Sequence, residues 1–446
     1  MTFEHPVRSP TFYPIRWIEN FLISLARDPE TTKFYHDYMT VRWAVRVMPG
    51  IRPRTLHRAF DKLVARHEPL RLRFVDTKEG WKSEVLPKHP VGLIVEDLGP
   101  MSKDEQQAIV TERVRRPLTA LSDALFEMRL LRFGRSGDVI MMRANHAIID
   151  GYSVALLVEE LLKHVMNLPV GPAPLSYGQF VAFQQKKARD RAADSAQFWA
   201  QMLLPPPQNL NIGRAAKGLG RMGPPTVQQP LCCDAVLGRA DSDRVNALCQ
   251  ATGASAFAVL HTAFSETLCA IAGQDTVLIN SIFGRNDAAL ASYIGPSIEV
   301  APLRYVSTGA GLHQTITDVA HKITSISQHL PTDVLREDGE ILQTLEAAGV
   351  SFDRFWVLAP LPTGRLKSSP LGKLFEKAMR GSLSLGQFSL EPVTIPSLAP
   401  TDAEMEFTIT PADAGYKAVL YADAAGYDLD DLETIADGIR MRLAQA

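Results

Sequence analysis

A histidine stands four residues before an Asp-Gly pair in the run Asn145-His146-Ala147-Ile148-Ile149-Asp150-Gly151. Histidine is the side chain best able to take or give a proton near neutral pH. A carboxylate one turn of chain away can fix the loop that carries it, and a glycine lets backbone approach a substrate closely. The other reactive residue types give less. The four cysteines, Cys232, Cys233, Cys249 and Cys269, form no C-x-x-C pair and have no histidine partners at metal-ligand spacing. They read as reduced thiols, and no metal site or bound cofactor is expected. Gly218-Leu219-Gly220-Arg221-Met222-Gly223 satisfies G-x-G-x-x-G, but no strand signal precedes it and Pro224-Pro225 stands where the helix should begin. A nucleotide cradle needs both, so this stretch reads as a loop.

The elements that must position His146 are legible on both sides. The apolar run Val139 to Met142 predicts a strand, and Tyr152 to Met166 carries a helical pattern, so the motif occupies a strand–loop–helix turn. On its own, a histidine between Met142 and Ile148 reads better as a satisfied core residue than as a catalytic one. Elsewhere the first half predicts helices over Ile15–Ala26, Arg54–Arg66 and Lys103–Arg115. It predicts strands over Tyr38–Val47, Leu70–Val75 and Leu125–Phe133. In the second half, Val236–Arg239, Val277–Phe283, Val300–Val306, Met405–Thr410 and Tyr416–Tyr421 read as strands. Ser255–Ala272 reads as a helix capped at Ser255 and closed by Gly273, and Leu429–Leu443 as a final amphipathic helix.

A chain of 446 residues is long enough for two domains. The Pro- and Gly-rich stretch with Pro205-Pro206-Pro207, Pro224-Pro225 and Pro230 predicts a linker over 205–230, between domains at 1–204 and 231–446. Hydrophobic residues make up 46% and charged residues 22%, the balance of a globular protein with real cores. The net charge of −2 gives no reason to expect nucleic acid or a membrane surface as partner. Residues 1–100 carry 16 Lys+Arg against 12 Asp+Glu, and residues 301–446 carry 12 against 19. Met1 to Pro14 lacks the apolar core of a signal peptide and no apolar run is long enough to span a bilayer, so a cytoplasmic protein is expected.

Several segments together resemble the condensation-domain superfamily, which includes nonribosomal-peptide condensation domains, chloramphenicol acetyltransferase and polyketide-associated acyltransferases. His67-Glu68-Pro69-Leu70-Arg71-Leu72-Arg73-Phe74 is similar to an early R-H-x-x-L-R-x-x-F segment. Asn145 to Gly151 matches H-H-x-x-x-D-G, with the first histidine replaced by Asn145. Phe283-Gly284-Arg285-Asn286 matches a G-R element after a buried strand. Tyr293-Ile294-Gly295 followed by Val300-Ala301-Pro302-Leu303-Arg304 is similar to I-G-x-F-x-N-x-x-P-L-R, and Glu406-Phe407-Thr408-Ile409 with Tyr421 resembles the family's ending. No D-F-G-W-G segment is present, although Leu385-Gly386-Gln387-Phe388 falls in that region. This separates the chain from the plant acyltransferase branch.

The resemblance implies an α/β (α+β) fold of two chloramphenicol acetyltransferase-like lobes with the active-site tunnel between them. It implies that His146 acts as general base or positions the nucleophile. Asp150 would pair with Arg285 to pin the loop, with Asn145 beside them. Gly151, at the start of the following helix, would offer its N–H to an oxyanion or serve the turn geometry alone. The expected reaction moves an acyl group from a thioester, on a carrier-protein phosphopantetheine or on CoA, to a small-molecule amine or alcohol. Arg42, Arg46, Arg52, Arg54 and Arg58 are candidates for docking an acidic acyl or peptidyl carrier protein. Asn145 keeps a second expectation open: a non-catalytic condensation-like module that recruits biosynthetic partners. Epimerisation at an acyl α-carbon on the same fold is a third.

Overall fold

The strand that leads to His146 is buried along its whole length. β7 (Asp138–Asn145) lies between β2 (Thr40–Met48) and β6 (Phe126–Arg132), antiparallel to both. Its side chains alternate between two cores. Ile140, Met142 and Ala144 pack into the larger cluster of the first half, and Val139 and Met141 into a smaller one with Val110, Val114, Leu131 and Phe133. A strand covered on both faces reads as a continuous apolar run, which is what Val139 to Met142 present.

The computed structural model describes residues 11–27, 39–116, 118–219, 230–284, 287–330, 339–350, 354–359, 383–385, 388–393, 395, 403–412 and 415–445. They fall into two compact units. The first spans 1–183, 287–297 and 362–398, and the second 184–286, 298–361 and 399–446. The unit boundary therefore falls inside the helix Tyr177–Leu203 rather than in the proline-rich run, and two late segments belong to the first unit. Residues 220–229 of the expected linker lie outside the described residues.

In the first unit, β1 (Phe12–Pro14) is followed by α1 (Trp17–Arg27), β2, α2 (Pro53–Arg66), β3 (Leu72–Thr77), β4 (Gly80–Val85), β5 (Leu93–Asp97) and α3 (Lys103–Val114). After β6 and β7 come α4 (Gly151–Val165) and the start of α5 (Tyr177–Leu203). β12 (Leu383–Leu385) and β13 (Phe388–Pro392) extend the main sheet, whose order is β12-β13-β2-β7-β6-β5. A smaller sheet has the order β1-β4-β3. α2 shows why the helical pattern was readable. Pro53 opens it, and Leu56, Ala59, Phe60, Leu63 and Val64 are all buried at three- and four-residue spacing. Ser102 closes a reciprocal cap with Glu105 at the start of α3.

The second unit contains β8 (Leu231–Cys233), α6 (Arg239–Thr252), α7 (Ala256–Ala272), β9 (Thr276–Phe283), β10 (Glu299–Val306), α8 (Leu312–Gln328) and α9 (Glu340–Ala347). β11 (Phe355–Leu358), β14 (Met405–Ala412), β15 (Gly415–Ala422) and α10 (Leu429–Ala444) complete it. Its sheet runs β10-β9-β11-β14-β15-β8, with β11 parallel to both neighbours. α7 begins where the Ser255 side chain accepts from the Ala258 amide and ends at Gly273, whose φ of 63° is left-handed. The expectation of a strand over Val236–Arg239 was wrong. The strand lies earlier, at Leu231–Cys233, and Arg239 begins α6, where the Asp241 carboxylate accepts from the Gly238 amide at 2.9 Å. Four residues of alternation were too short to outweigh that cap. The first strands also start later than expected: β3 begins at Leu72, because Glu68–Arg71 forms a 3₁₀ turn.

Candidate active site

The loop after β7 is tied down almost atom by atom. Asn145 donates its amide N–H to Leu125 O at 2.8 Å, and its side-chain Nδ2 to Leu118 O at 2.8 Å. The Oδ1 of the same residue accepts from the Ala147 amide at 3.0 Å, and its main-chain oxygen from Ile148 N at 3.1 Å. His146 N donates to Met39 O at 2.6 Å. With Asn145 fully buried, its amide does locally what a backbone turn would do.

Asp150 is the N-cap of α4. Its Oδ1 accepts from the Ser153 amide at 2.7 Å, and Val154 N donates to its carbonyl at 3.1 Å. Its Oδ2 accepts from both the amide (3.0 Å) and the hydroxyl (3.3 Å) of Ser297. A second bond pair lies beside it. Ser153 Oγ donates to Gly295 O at 3.1 Å and accepts from Gly295 N at 3.0 Å. Asp150 and Ser153 are fully buried, so each of these bonds is made away from water. Arg285, the partner expected for Asp150, lies outside the described residues.

Ala147, Ile148 and Ile149 are buried on the core side of the loop, whereas His146 keeps exposed surface and Gly151 is open to solvent. Burial against the surrounding protein lowers the His146 pKa below the ordinary histidine value. The charge of Asp150 and backbone hydrogen bonds push the other way without cancelling it. The lowered value favours the neutral imidazole. Gly151 is not a left-handed turn residue, and a Cβ built there meets nothing within 4 Å. Its place is the first turn of α4, where amide N–H groups have no partner within the helix and negative charge is favoured. A small crevice with room for about one water borders the loop, lined by Arg42, Phe126, Met142, Arg143, Ile149 and Val154.

Among the described residues no cluster of three His, Cys, Asp or Glu side chains is placed to hold a metal ion. All four cysteines are free, and burial raises the thiol pKa of Cys232 and Cys249 and pushes that of Cys269 up to about 12. No single described helix is long and apolar enough to cross a membrane. Of the arginines considered for docking, Arg46 is buried and bound to Gln106 (3.1 Å) and Glu391 (3.1 Å), so it is not available. Arg52, Arg54 and Arg58 are exposed.

Sequence reasoning did not find Ser153, Ser297 or the carbonyls of Met39 and Leu118. Ser153 had a signal: it lies three residues after a capping Asp. Ser297 had none, being 147 residues from its partner.

Comparison with known proteins brings in evidence from outside the chain. The Condensation domain family model matches residues 31–354. Chondramide synthase cmdD of Chondromyces crocatus is 24% identical over 375 residues, covering 81% of this chain and 9% of that protein. The nonribosomal peptide synthetase kk1B of Curvularia clavata is 25% identical over 410 residues, covering 88% of this chain and 3% of that protein. The chain thus spans less than a tenth of the length of these relatives. Among solved structures, SgcC5 from Streptomyces globisporus superposes with a TM-score of 0.68 at 20% identity, covering 91% of this chain and 92% of that one. The X-domain from teicoplanin biosynthesis superposes with a TM-score of 0.74 at 16% identity, covering 98% and 96%. That X-domain has also been solved in complex with OxyB. The first condensation domain of the CDA synthetase gives a TM-score of 0.66 at 17% identity, covering 98% and 96%. The mixed α/β fold is that of the chloramphenicol acetyltransferase type, shared with these condensation domains.

Proposed function

The chain belongs to the condensation-domain family, and from that premise we propose that it is an acyltransferase working in natural-product biosynthesis. It transfers an acyl group from a thioester to an amine or hydroxyl. The observation that carries this reading is the place of His146: partly exposed, its pKa lowered by burial, and held at the end of a buried strand beside the open first turn of α4. A neutral imidazole can accept the proton of the attacking amine or alcohol as the new C–N or C–O bond forms. The oxyanion that develops on the thioester carbonyl is stabilised by the N–H of Gly151 and the positive end of α4. When the C–S bond breaks, the proton returns to the departing thiolate. Asn145 and Asp150 touch no substrate in this scheme; they hold the loop. The donor is carried on phosphopantetheine or CoA. Exposed Arg52, Arg54 and Arg58 suit an acidic carrier protein, and reversing the charge of Arg52 and Arg54 should slow transfer from a carrier-bound donor but not from CoA.

A recruitment module is the second reading. Asn145 stands in place of the first histidine, and the fold matches an X-domain whose solved complex is with OxyB. Intact-mass detection of acyl transfer separates the two, using a panel of acyl-CoA and acyl-carrier donors with small amines and alcohols. Transfer by the wild type supports the enzyme. Tight carrier binding without transfer from any donor supports the recruiter.

A further inference from the structure

Arg16 stands 280 residues away from the loop segment it touches, and the sequence gives no hint of the link. Its guanidinium donates Nη1 to Pro296 O at 2.7 Å, next to the Ser297 that grips Asp150. Its other edge is a fork on Glu19, with Nε at 3.0 Å and Nη2 at 2.8 Å from Oε1. Glu19 is fully buried and also accepts from Tyr177 Oη at 3.0 Å; the same hydroxyl bonds Ser83 Oγ at 3.0 Å. The face of the guanidinium lies over the Phe180 ring at 5.1 Å, and that ring stacks on Tyr293 with centroids 4.3 Å apart. Gly295 completes the fit, because a Cβ there would stand 2.4 Å from Tyr293 Cε1. Arg16 therefore meets the 293–297 segment twice, at the Pro296 carbonyl and through the Phe180–Tyr293 stack. That segment in turn holds Asp150 through Ser297 and α4 through the Ser153–Gly295 bond pair.

We propose that Arg16 is a positioning residue for the His146 loop, acting from just before α1 through Pro296, Ser297 and Asp150. The chain around this segment lends it a second meaning. Residues 287–297 belong to the first unit, yet they join β9 to β10, which belong to the second. The catalytic consequence rests on the reading of His146 given above; the mechanical link does not.

Hydrogen exchange of the full-length protein, read by mass spectrometry, tests the link without needing a substrate. A lysine at position 16 keeps the charge but cannot serve Glu19 and the Pro296 carbonyl with one planar fork. Arg16→Lys should speed exchange about tenfold in peptides covering 145–154 and 287–297, the equivalent of about 1.4 kcal/mol of local opening. Arg73→Lys, which loosens the Arg73–Glu84 pair elsewhere in the same unit, should leave those peptides unchanged. If Arg16→Lys does not fold, Ser297→Ala probes the same link from its other end, and Ser297→Thr should restore protection. With a working donor and acceptor, Arg16→Lys should lower kcat while KM stays within about twofold. Unchanged exchange at 145–154, or acceleration spread evenly over the whole first unit, would overturn the proposal. Absence of transfer by the wild type would instead count against the acyltransferase reading and leave the exchange result standing.

Discussion

At the scale of single residues, the case for chemistry rests on contrast within seven positions. Asn145, Ala147, Ile148, Ile149 and Asp150 are buried, and only His146 and Gly151 keep exposed surface. His146 keeps part of its surface exposed while burial still lowers its pKa, which sets it apart from the fully enclosed side chains beside it. Gly151 allows a clean experiment, because its backbone does not require glycine and its missing Cβ would fill open space. Gly151→Ala should leave thermal unfolding unchanged or slightly raised, since alanine is favoured over glycine in a helix by up to about 1 kcal/mol. If substrate occupies that space, the same change should lower kcat/KM by about tenfold or more. Equal activity would mean the glycine serves neither turn nor substrate. The strand–loop–helix that carries His146 was legible at this scale because its signals are local; the role given to His146 rested on the family resemblance. The grip on Asp150 was not, because Ser297 reaches it from the far end of a fold.

At the scale of elements, the strand–loop–helix around His146 stands on caps and carbonyl contacts. Asp150 supports it in two ways, as N-cap of α4 and as acceptor for Ser297. Asp150→Ala should cost about 2–4 kcal/mol, combining a lost cap with a buried amide left without its acceptor. Urea unfolding measures this, and a loss under about 0.5 kcal/mol would show that the cap is redundant. Local signals made β7, α4, α2 and α7 readable: an apolar run, apolar residues at helical spacing, a serine cap at Ser255 and the closing Gly273. α5 was missed for a physical reason. Tyr177, Phe180 and Val181 pack into the core of the first unit, whereas Trp199 and Leu203 pack into that of the second. No single apolar stripe runs along its 27 residues, so the helical period is blurred.

At the scale of the whole molecule, two cores carry two different electrostatic burdens. The second unit encloses His261, fully buried in α7, with Nδ1 3.2 Å from Ser265 Oγ. Burial lowers its pKa from 6.5 to about 4, so it is neutral in the fold. In the unfolded chain it takes up a proton below pH 6.5, so stability is lost as pH falls from there towards 4, by roughly 3 kcal/mol. His261→Gln should flatten the pH dependence of unfolding between pH 7 and 4.5; an unchanged slope would place the titration elsewhere. The mixture of helices and strands was legible from apolar patterning and the fold type from the family resemblance, but the division was not, because chain segments from the second half complete the first unit. The central claim is that this fold presents His146 for acyl transfer. The most direct measurement is the single-turnover rate of transfer from an accepted thioester donor across pH, for wild type and His146→Ala. The expected result is a wild-type rate that falls at a lower pH than an ordinary histidine would give, as the lowered pKa requires. The variant should be folded and slower by about 10²–10⁴-fold, the usual contribution of a general base. A folded His146→Ala protein that transfers at the wild-type rate would contradict the account.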